Sequence, residues 1–246
     1  MTYMPCVVEG ESRPADWLVT CDHAHNTVPE FVNNGSLGIS AKDMERHIAY
    51  DPGASGVARA LAEQLNGPYI GANFSRLVID PNRGEDDPTL IMQLYDGTII
   101  PANRYLDDED RIARLEQCYR PYHSRLSELA CYRNDPILIS VHSFTPQFRG
   151  RAPRPWHVGV LYASDERLSG PLIVGLKAQA DLCVGENQPY TGALKGDAMD
   201  RHAVQTGRLH ALLELRNDLI STPEDQVKWA ERLAPLLLAA ANDAAR

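Results

Sequence analysis

Two stretches of this chain share one plan. Leu18-Val19-Thr20-Cys21 is an apolar run of strand character that ends abruptly in Asp22-His23-Ala24-His25-Asn26, and Ile137-Leu138-Ile139-Ser140-Val141 ends in the same way at His142-Ser143. A strand buried on both faces reads as a nearly continuous apolar run, and open α/β sheets bind their ligands where such strands leave the core at their carboxyl ends. Two more runs end alike. Leu77-Val78-Ile79 leads into Asp80-Pro81-Asn82-Arg83, and Leu209 to Leu213 leads into Glu214-Leu215-Arg216. Polarity confined to the places where strands leave the core is the main functional signal of the chain.

Between these runs the spacing turns helical. Asp51-Pro52-Gly53 opens a segment in which Val57, Leu61 and Leu65 recur on one face, and Ser40 to Asp43 caps a shorter one reaching Tyr50. A long helix is predicted from Asp107, with Ile112, Leu115, Tyr119, Tyr122, Leu126 and Leu129 on one side and a kink at Pro121. Leu168 to Ala180 and a closing helix from Thr222-Pro223 through Val227, Leu233 and Leu237 complete the set. Tyr69 to Ala72, Trp156 to Tyr162 and Leu182 to Val184 supply further strands. This alternation predicts a three-layer α/β fold, a mainly parallel or mixed central sheet flanked by helices, in a single domain over residues 1–246. Two irregular stretches, 81–107 and 186–207, are long enough to cover a substrate.

Composition narrows the partners. The chain of 246 residues carries 33 acidic against 24 basic side chains, a net charge of −9, and no basic tract. Phosphate binding needs a clustered cationic surface, so a nucleic-acid partner is not expected. The N-terminus lacks the marks of a signal peptide, and no apolar run approaches the roughly 18 to 20 residues that span a bilayer, so a cytoplasmic protein without a membrane partner is expected. The five cysteines are odd in number and free of any C-x-x-C spacing, the pattern of reduced thiols rather than of disulfides or a zinc ribbon. Cys21, beside the first histidine, reads as a small buried strand residue.

His23 and His142 stand at the ends of two strands that would meet in space if they share a metal ion. Two histidines and one carboxylate leave a position open for water, as in a catalytic zinc site. His25 should point away from His23. Asn26 is a poor zinc ligand, and Asp51, at the start of the amphipathic helix, is the better candidate for the oxygen donor. Glu214 is either a base that deprotonates water or the partner of Arg216 in an ion pair. Arg76 and Arg83 are either a fork for an anionic substrate or surface ion pairs.

A resemblance sharpens these alternatives. His23 with Asn26 and Pro29, His47-Ile48-Ala49-Tyr50-Asp51, Ser75 to Arg83, His142-Ser143-Phe144-Thr145-Pro146, Arg154 to Gly159 and Glu214 to Ile220 fall in the order seen in the N-formylglutamate amidohydrolases, and the likeness runs from about Leu18 to Ile220. That family resembles the zinc carboxypeptidases and aspartoacylases in fold. The resemblance implies one zinc held by His23 and His142, a carboxylate grip made by Asn82 and Arg83, Arg76 at the substrate or oxyanion, and Glu214 as base. Arg154 and Arg216, inside matching segments, are expected to join the substrate-binding set. Where this chain has Asn26 the relatives have Glu, so the third ligand is assigned to Asp51; around the first histidine, His23-Ala24-His25 replaces the usual His-Ser-Gly. The expected substrate is a small anionic N-acyl amino acid, N-formyl-L-glutamate by resemblance. The alternatives are a different N-acyl or peptide substrate, or a carboxylate-binding protein that has lost its metal.

Overall fold

The computed structural model describes residues 3–133 and 135–245. Its strands are β1 (Cys6–Glu9), β2 (Trp17–Cys21), β3 (Tyr69–Ala72), β4 (Leu94–Tyr95), β5 (Thr98–Ile99), β6 (Ile137–Phe144), β7 (Val158–Leu161), β8 (Val184–Glu186) and β9 (His210–Arg216). Its α-helices are α1 (Ala41–Met44), α2 (Ala54–Gln64), α3 (Asp108–Arg114), α4 (Arg120–Cys131), α5 (Ser169–Lys177), α6 (Ala198–His202) and α7 (Pro223–Ala244). A seven-stranded sheet runs in the order β1-β3-β2-β6-β9-β7-β8, and β4 with β5 forms a separate ribbon. Neighbours β3, β2, β6 and β9 are parallel; β1 on β3 and β7 on β9 are antiparallel, which makes the sheet mixed.

The two faces are buried by different layers. Trp17, Val19, Cys21, Ile139, Val141, Ala211 and Leu213 pack against α2, α5 and α7, while Leu18, Leu138 and Leu212 face the opposite way onto the α3–α4 layer. Since every residue of β2 is buried, no polar alternation marks it, as a strand covered on both sides requires. Val57 and Leu61 of α2, and Leu65 at its C-terminal cap, fall in the core as the spacing predicts.

Several expectations are corrected. Leu77-Val78-Ile79 is fully buried but forms a turn rather than a strand, because Ser75 Oγ donates to Ala49 O (2.7 Å) and the Val78 N–H donates to Ser75 O (2.9 Å), closing the backbone on itself. The short helix after Ser40 ends at Met44 and dissolves into turns before Tyr50. The long helix is interrupted by a π-turn, Leu115–Tyr119, immediately before Pro121, whose ring takes the start of α4 where no N–H is needed. That turn shifts the helical phase, so Ile112 lies 55% exposed while Leu115, Tyr119, Tyr122, Leu126 and Leu129 are buried. Val227, near the start of α7, is 45% exposed, whereas Leu233 and Leu237 are buried. The strand expected at Leu182 to Val184 sits later, at β8, and the edge strand β1 had no counterpart in the sequence reading. No described helix is long and apolar enough to cross a membrane.

Candidate metal centre and substrate pocket

Strand register assembles the site. Thr20 pairs with Ser140 and Ser140 with Leu212, so the next polar row of the same face holds His142 beside Glu214. Asp22, two residues beyond Thr20, reaches that row too, and His142 Nε2 lies 3.1 Å from its Oδ2. The backbone then carries His23 forward. Asp51 arrives from the crossover into α2, its N–H donating to the His23 carbonyl at 2.9 Å. The Ser143 N–H, next to His142, in turn donates to Asp51 Oδ2 at 3.2 Å.

The result is a buried cluster. His23 Nδ1 and His142 Nδ1 are 3.2 Å apart, and Asp51 Oδ2 lies 3.2 Å from the first and 2.8 Å from the second. Each imidazole is anchored behind by a carboxylate: His142 Nε2 on Asp22 Oδ2, and His23 Nε2 on Asp80 Oδ1 at 2.7 Å. Carboxylates only accept, so both Nε2 atoms carry hydrogens; both Nδ1 atoms face Asp51, to which His142 Nδ1 donates at 2.8 Å when no ion takes its place. Two ring nitrogens and a carboxylate oxygen converging on one point suit a cation. A tetrahedral ion with bonds near 2.0–2.1 Å sets its ligand atoms roughly 3.3 Å apart, close to the spacing found, and carboxylate support behind a ligating imidazole is the usual arrangement. These three residues fit a divalent metal ion by geometry and by donor chemistry.

In the metal-free cluster a proton offsets the acids: burial would lower the His142 pKa, but hydrogen bonds to Asp22 and Asp51 hold it well above the usual range, and an ion would displace that proton. Asp22 is driven to about 2: burial opposes ionisation, while His142 and the Tyr122 hydroxyl, donating at 2.6 Å, outweigh it. Asp51 and Asp80 also stay ionised against burial, Asp51 through both imidazoles and Asp80 chiefly through Arg76. Arg76 donates to Asp51 Oδ1 (3.3 Å) and Asp80 Oδ2 (2.9 Å), and its guanidinium lies 5.5 Å from the ring centre of Tyr95. It is therefore a buried ion-pair hub rather than a surface pair.

The cluster forms one wall of a cavity of about 260 Å³ that also takes in Arg76, Asn82, Arg83 and Glu214. Glu214 is 6% exposed with Oε2 unpaired, and burial pushes its carboxyl up to about 7. It does not pair with Arg216, whose Nε donates to Asp218 Oδ1 at 2.8 Å. The space before Glu214 depends on Gly159, its partner across β7, since a methyl there would fall 2.0 Å from the Gln188 carbonyl oxygen. Arg83 donates from Nη1 to Asn82 O (2.7 Å) and from Nε to Thr89 Oγ1 (3.2 Å) and has no ion-pair partner among the described residues. The Asn82 side-chain oxygen accepts from Ala198 N at 3.3 Å, tying the carboxylate grip expected there to the start of α6.

Two expected substrate residues lie elsewhere. Arg154 is stacked 3.9 Å from the ring centre of Phe148 and donates to Tyr190 OH at 3.1 Å; neither it nor Arg216 lines the cavity. Asn26 turns away from the cluster and donates to Met44 O at 2.9 Å, and His25 is outside it. Cys21 is buried in the core with its thiol pKa raised by desolvation, an inert position. The sequence reading assigned no role to Asp22 or Asp80, although both stood at the polar run ends. It also missed four residues that line the cavity: His47, Tyr95, Tyr190 and Asp197. Tyr95, Tyr190 and Asp197 come from the two irregular stretches, where no periodicity distinguishes one polar residue from another.

Fold and site together define an α/β protein with a metal-competent centre at the carboxyl ends of parallel strands. The chain belongs to the N-formylglutamate amidohydrolase family, whose model matches residues 15–221. It is 27% identical over 242 residues to an N-formylglutamate deformylase of Pseudomonas putida, a match covering 88% of this chain and 86% of that one. A solved structure of a gene product from Agrobacterium tumefaciens superposes with a TM-score of 0.93 at 34% identity, covering 100% of this chain and 98% of the other. The solved N-formylglutamate amidohydrolase of Ralstonia eutropha superposes at a TM-score of 0.69 and 21% identity, over 97% of each chain, and shares the fold.

Proposed function

We propose that this protein is a zinc-dependent amidohydrolase that cleaves the amide bond of a small N-acyl amino acid, with N-formyl-L-glutamate as the first substrate to test. One observation carries the reading: two imidazoles, each backed by a carboxylate, converge with Asp51 on one point in a cavity where Glu214 is buried with Oε2 unpaired. His23, His142 and Asp51 would hold the ion, which when bound supplies Lewis acidity to the acyl carbonyl and acidifies water.

The chain's own residues account for the other parts of the reaction. Arg83, with Asn82 beside it, grips the substrate carboxylate and fixes the amide in the cavity. Glu214 Oε2 takes a proton from the attacking water and returns it to the leaving nitrogen, so that one group acts first as base and then as acid. A carboxyl raised to about 7 suits both halves of that transfer near neutral pH. Arg76 places fixed positive charge next to the ligand carboxylates. At about 260 Å³ the cavity lies at the small end of ligand sites, which run from about 300 to 1,000 Å³, and this favours an amino-acid derivative over a peptide.

Release of formate from N-formyl-L-glutamate, measured with and without a chelator, tests the reading. Turnover that survives metal removal refutes it. Glu214→Gln is expected to lower kcat by about 10²- to 10⁴-fold while zinc remains bound, and full activity in that variant would remove Glu214 from the mechanism.

A further inference from the structure

The side chain read as gripping the substrate carboxylate is held by few contacts of its own. Arg83 Nη1 donates to the neighbouring Asn82 carbonyl at 2.7 Å and Nε to Thr89 Oγ1 at 3.2 Å, which leaves Nη2 unpartnered among the described residues. The aim of that guanidinium therefore depends on the backbone that carries it, which turns at Pro81 and Asn82. On the incoming side the turn is pinned to the acid behind His23. Asp80 Oδ1 accepts the Asn82 N–H at 2.9 Å, and the Asp80 carbonyl accepts the Arg83 N–H at 3.2 Å. On the outgoing side the Arg83 carbonyl accepts from Tyr119 OH at 2.6 Å.

Tyr119 is the last residue of the π-turn Leu115–Tyr119. Such a turn inserts one residue and rotates the helix that follows by about 100°, and π-turns recur at functional sites. The ring is fully buried, a place that phenylalanine would fill as well, so packing alone does not call for the hydroxyl. Burial pushes the phenol up to about 12, which keeps it a donor at neutral pH. Its oxygen accepts from Arg201 Nη2 at 2.9 Å. Arg201 belongs to α6, whose first residue, Ala198, donates its N–H to Asn82 Oδ1 at 3.3 Å. A further bond, His123 Nδ1 to His202 Nε2 at 2.9 Å, ties α4 to α6. Both residues of the grip are thus steadied from one side, Arg83 through Tyr119 and Asn82 through α6.

We propose that Tyr119, which lies outside the cavity lining, is a positioning residue of the carboxylate grip: its hydrogen bond to the Arg83 carbonyl sets where the Arg83 guanidinium stands. The inference rests on the reading of Arg83 as the group that binds the substrate carboxylate, and adds the element that aims it. Without that bond the carbonyl loses its partner, and the turn is free to shift toward another donor. Either change displaces a side chain that has little else to hold it.

Tyr119→Phe keeps the buried ring and removes the hydroxyl. In the zinc-loaded full chain acting on N-formyl-L-glutamate, KM is expected to rise about 3- to 30-fold with kcat within about twofold, the pattern of binding lost equally from ground and transition states. A residue that only supports the fold would not give that split, so a fall in kcat as large as the rise in KM, or loss of the folded chain, overturns the proposal. A double-mutant cycle adds a second readout. Acting through Arg83, the hydroxyl should matter little once that side chain is gone, and Tyr119→Phe should change KM by less than about twofold in an Arg83→Ala background. An effect there as large as in the native chain overturns the proposal. Arg83→Ala alone separates the two layers. An unchanged KM removes Arg83 from the grip and the proposal with it; a raised KM beside an unchanged one in Tyr119→Phe keeps the grip and overturns the proposal. If the chain binds N-formyl-L-glutamate without cleaving it, amide hydrolysis of that compound fails, and calorimetric Kd values replace KM in the same cycle; absence of binding overturns both.

Discussion

Replacing Asp22 with asparagine is expected to weaken zinc binding although Asp22 touches no metal. Its carboxylate is fully buried and collects three donors: Tyr122 OH at 2.6 Å, His142 Nε2 at 3.1 Å and Ser140 Oγ at 3.2 Å. An asparagine of the same shape has one oxygen for those donors and brings an NH₂ that opposes at least one of them. His142 then loses the anchor that fixes its tautomer and aims Nδ1 at the cluster. Loss of such outer support typically costs 10- to 100-fold in metal affinity, or about 1.4 to 2.8 kcal/mol.

A separate stability term follows from ionisation. The Asp22 pKa is lowered to about 2 from an ordinary 3.8, worth about 2 kcal/mol for a fully buried group, and a lowered carboxyl stabilises the fold above the ordinary pKa and loses that contribution as pH falls from about 4 to 2. The variant should therefore lose stability at pH 7 and show less of the acid-induced decline. Competition with a chromophoric chelator reads the affinity, and urea unfolding of the metal-free protein at pH 7 and pH 3 reads the stability. Tyr122→Phe serves as the control, since it removes one donor to Asp22 while leaving the His142 anchor charged. Zinc affinity in Asp22→Asn within about twofold of the native chain would refute the claim that this carboxylate organises the ligand set.

Three further outcomes follow from other parts of the molecule. Because the ion would bind only the folded cluster, stripping it with a chelator should lower the thermal midpoint, with about 4 kcal/mol at stake when free zinc is a thousand times its Kd; an unchanged midpoint argues against a metal at this site. His123 and His202 form a buried hydrogen-bonded pair, Nδ1 to Nε2 at 2.9 Å, and burial lowers them to about 3 and about 4. Their unfolded counterparts take up protons near 6.5, so stability should fall as pH drops from about 6.5 toward 4, by roughly 2 to 4 kcal/mol at pH 5 for the pair, and urea midpoints that do not decline over that range would contradict it. Gly159→Ala sets a methyl 2.0 Å from the Gln188 oxygen and 3.4 Å from the Glu214 Cβ, so it should cost about 1 to 3 kcal/mol and depress turnover, both measurable by unfolding and formate release.

The parts of this fold that could be read from the chain are those in which local chemistry and tertiary placement agree. The run at Ile137 to Val141 had to be a strand buried on both faces, and its polar end had to leave the core. The same holds for β9, so their parallel pairing delivered His142 beside Glu214. The antiparallel insertion of β7 against β9 was not legible, since chain order does not state direction. Leu77 to Ile79 misled because burial alone made it apolar; hydrogen bonds around Ser75, which sequence spacing does not reveal, decided its shape. Arg154 and Arg216 carried the right chemistry for an anion; in the fold Arg154 stacks on Phe148 and donates to Tyr190 at the cavity wall, and Arg216 pairs with Asp218.

Asn26 makes the limit of sequence spacing clear. Reading the metal ligands as neighbours along one segment puts an amide in a carboxylate's place and suggests a broken site. In the folded chain the carboxylate comes instead from Asp51, held to His23 by the backbone and to His142 by the Ser143 N–H, while Asn26 is occupied with Met44 and Glu45. A cluster fixed by strand register and a crossover does not need its ligands adjacent in sequence. What it needs is that each imidazole be aimed, and the acids that aim them, Asp22 and Asp80, sit directly where the apolar runs stop.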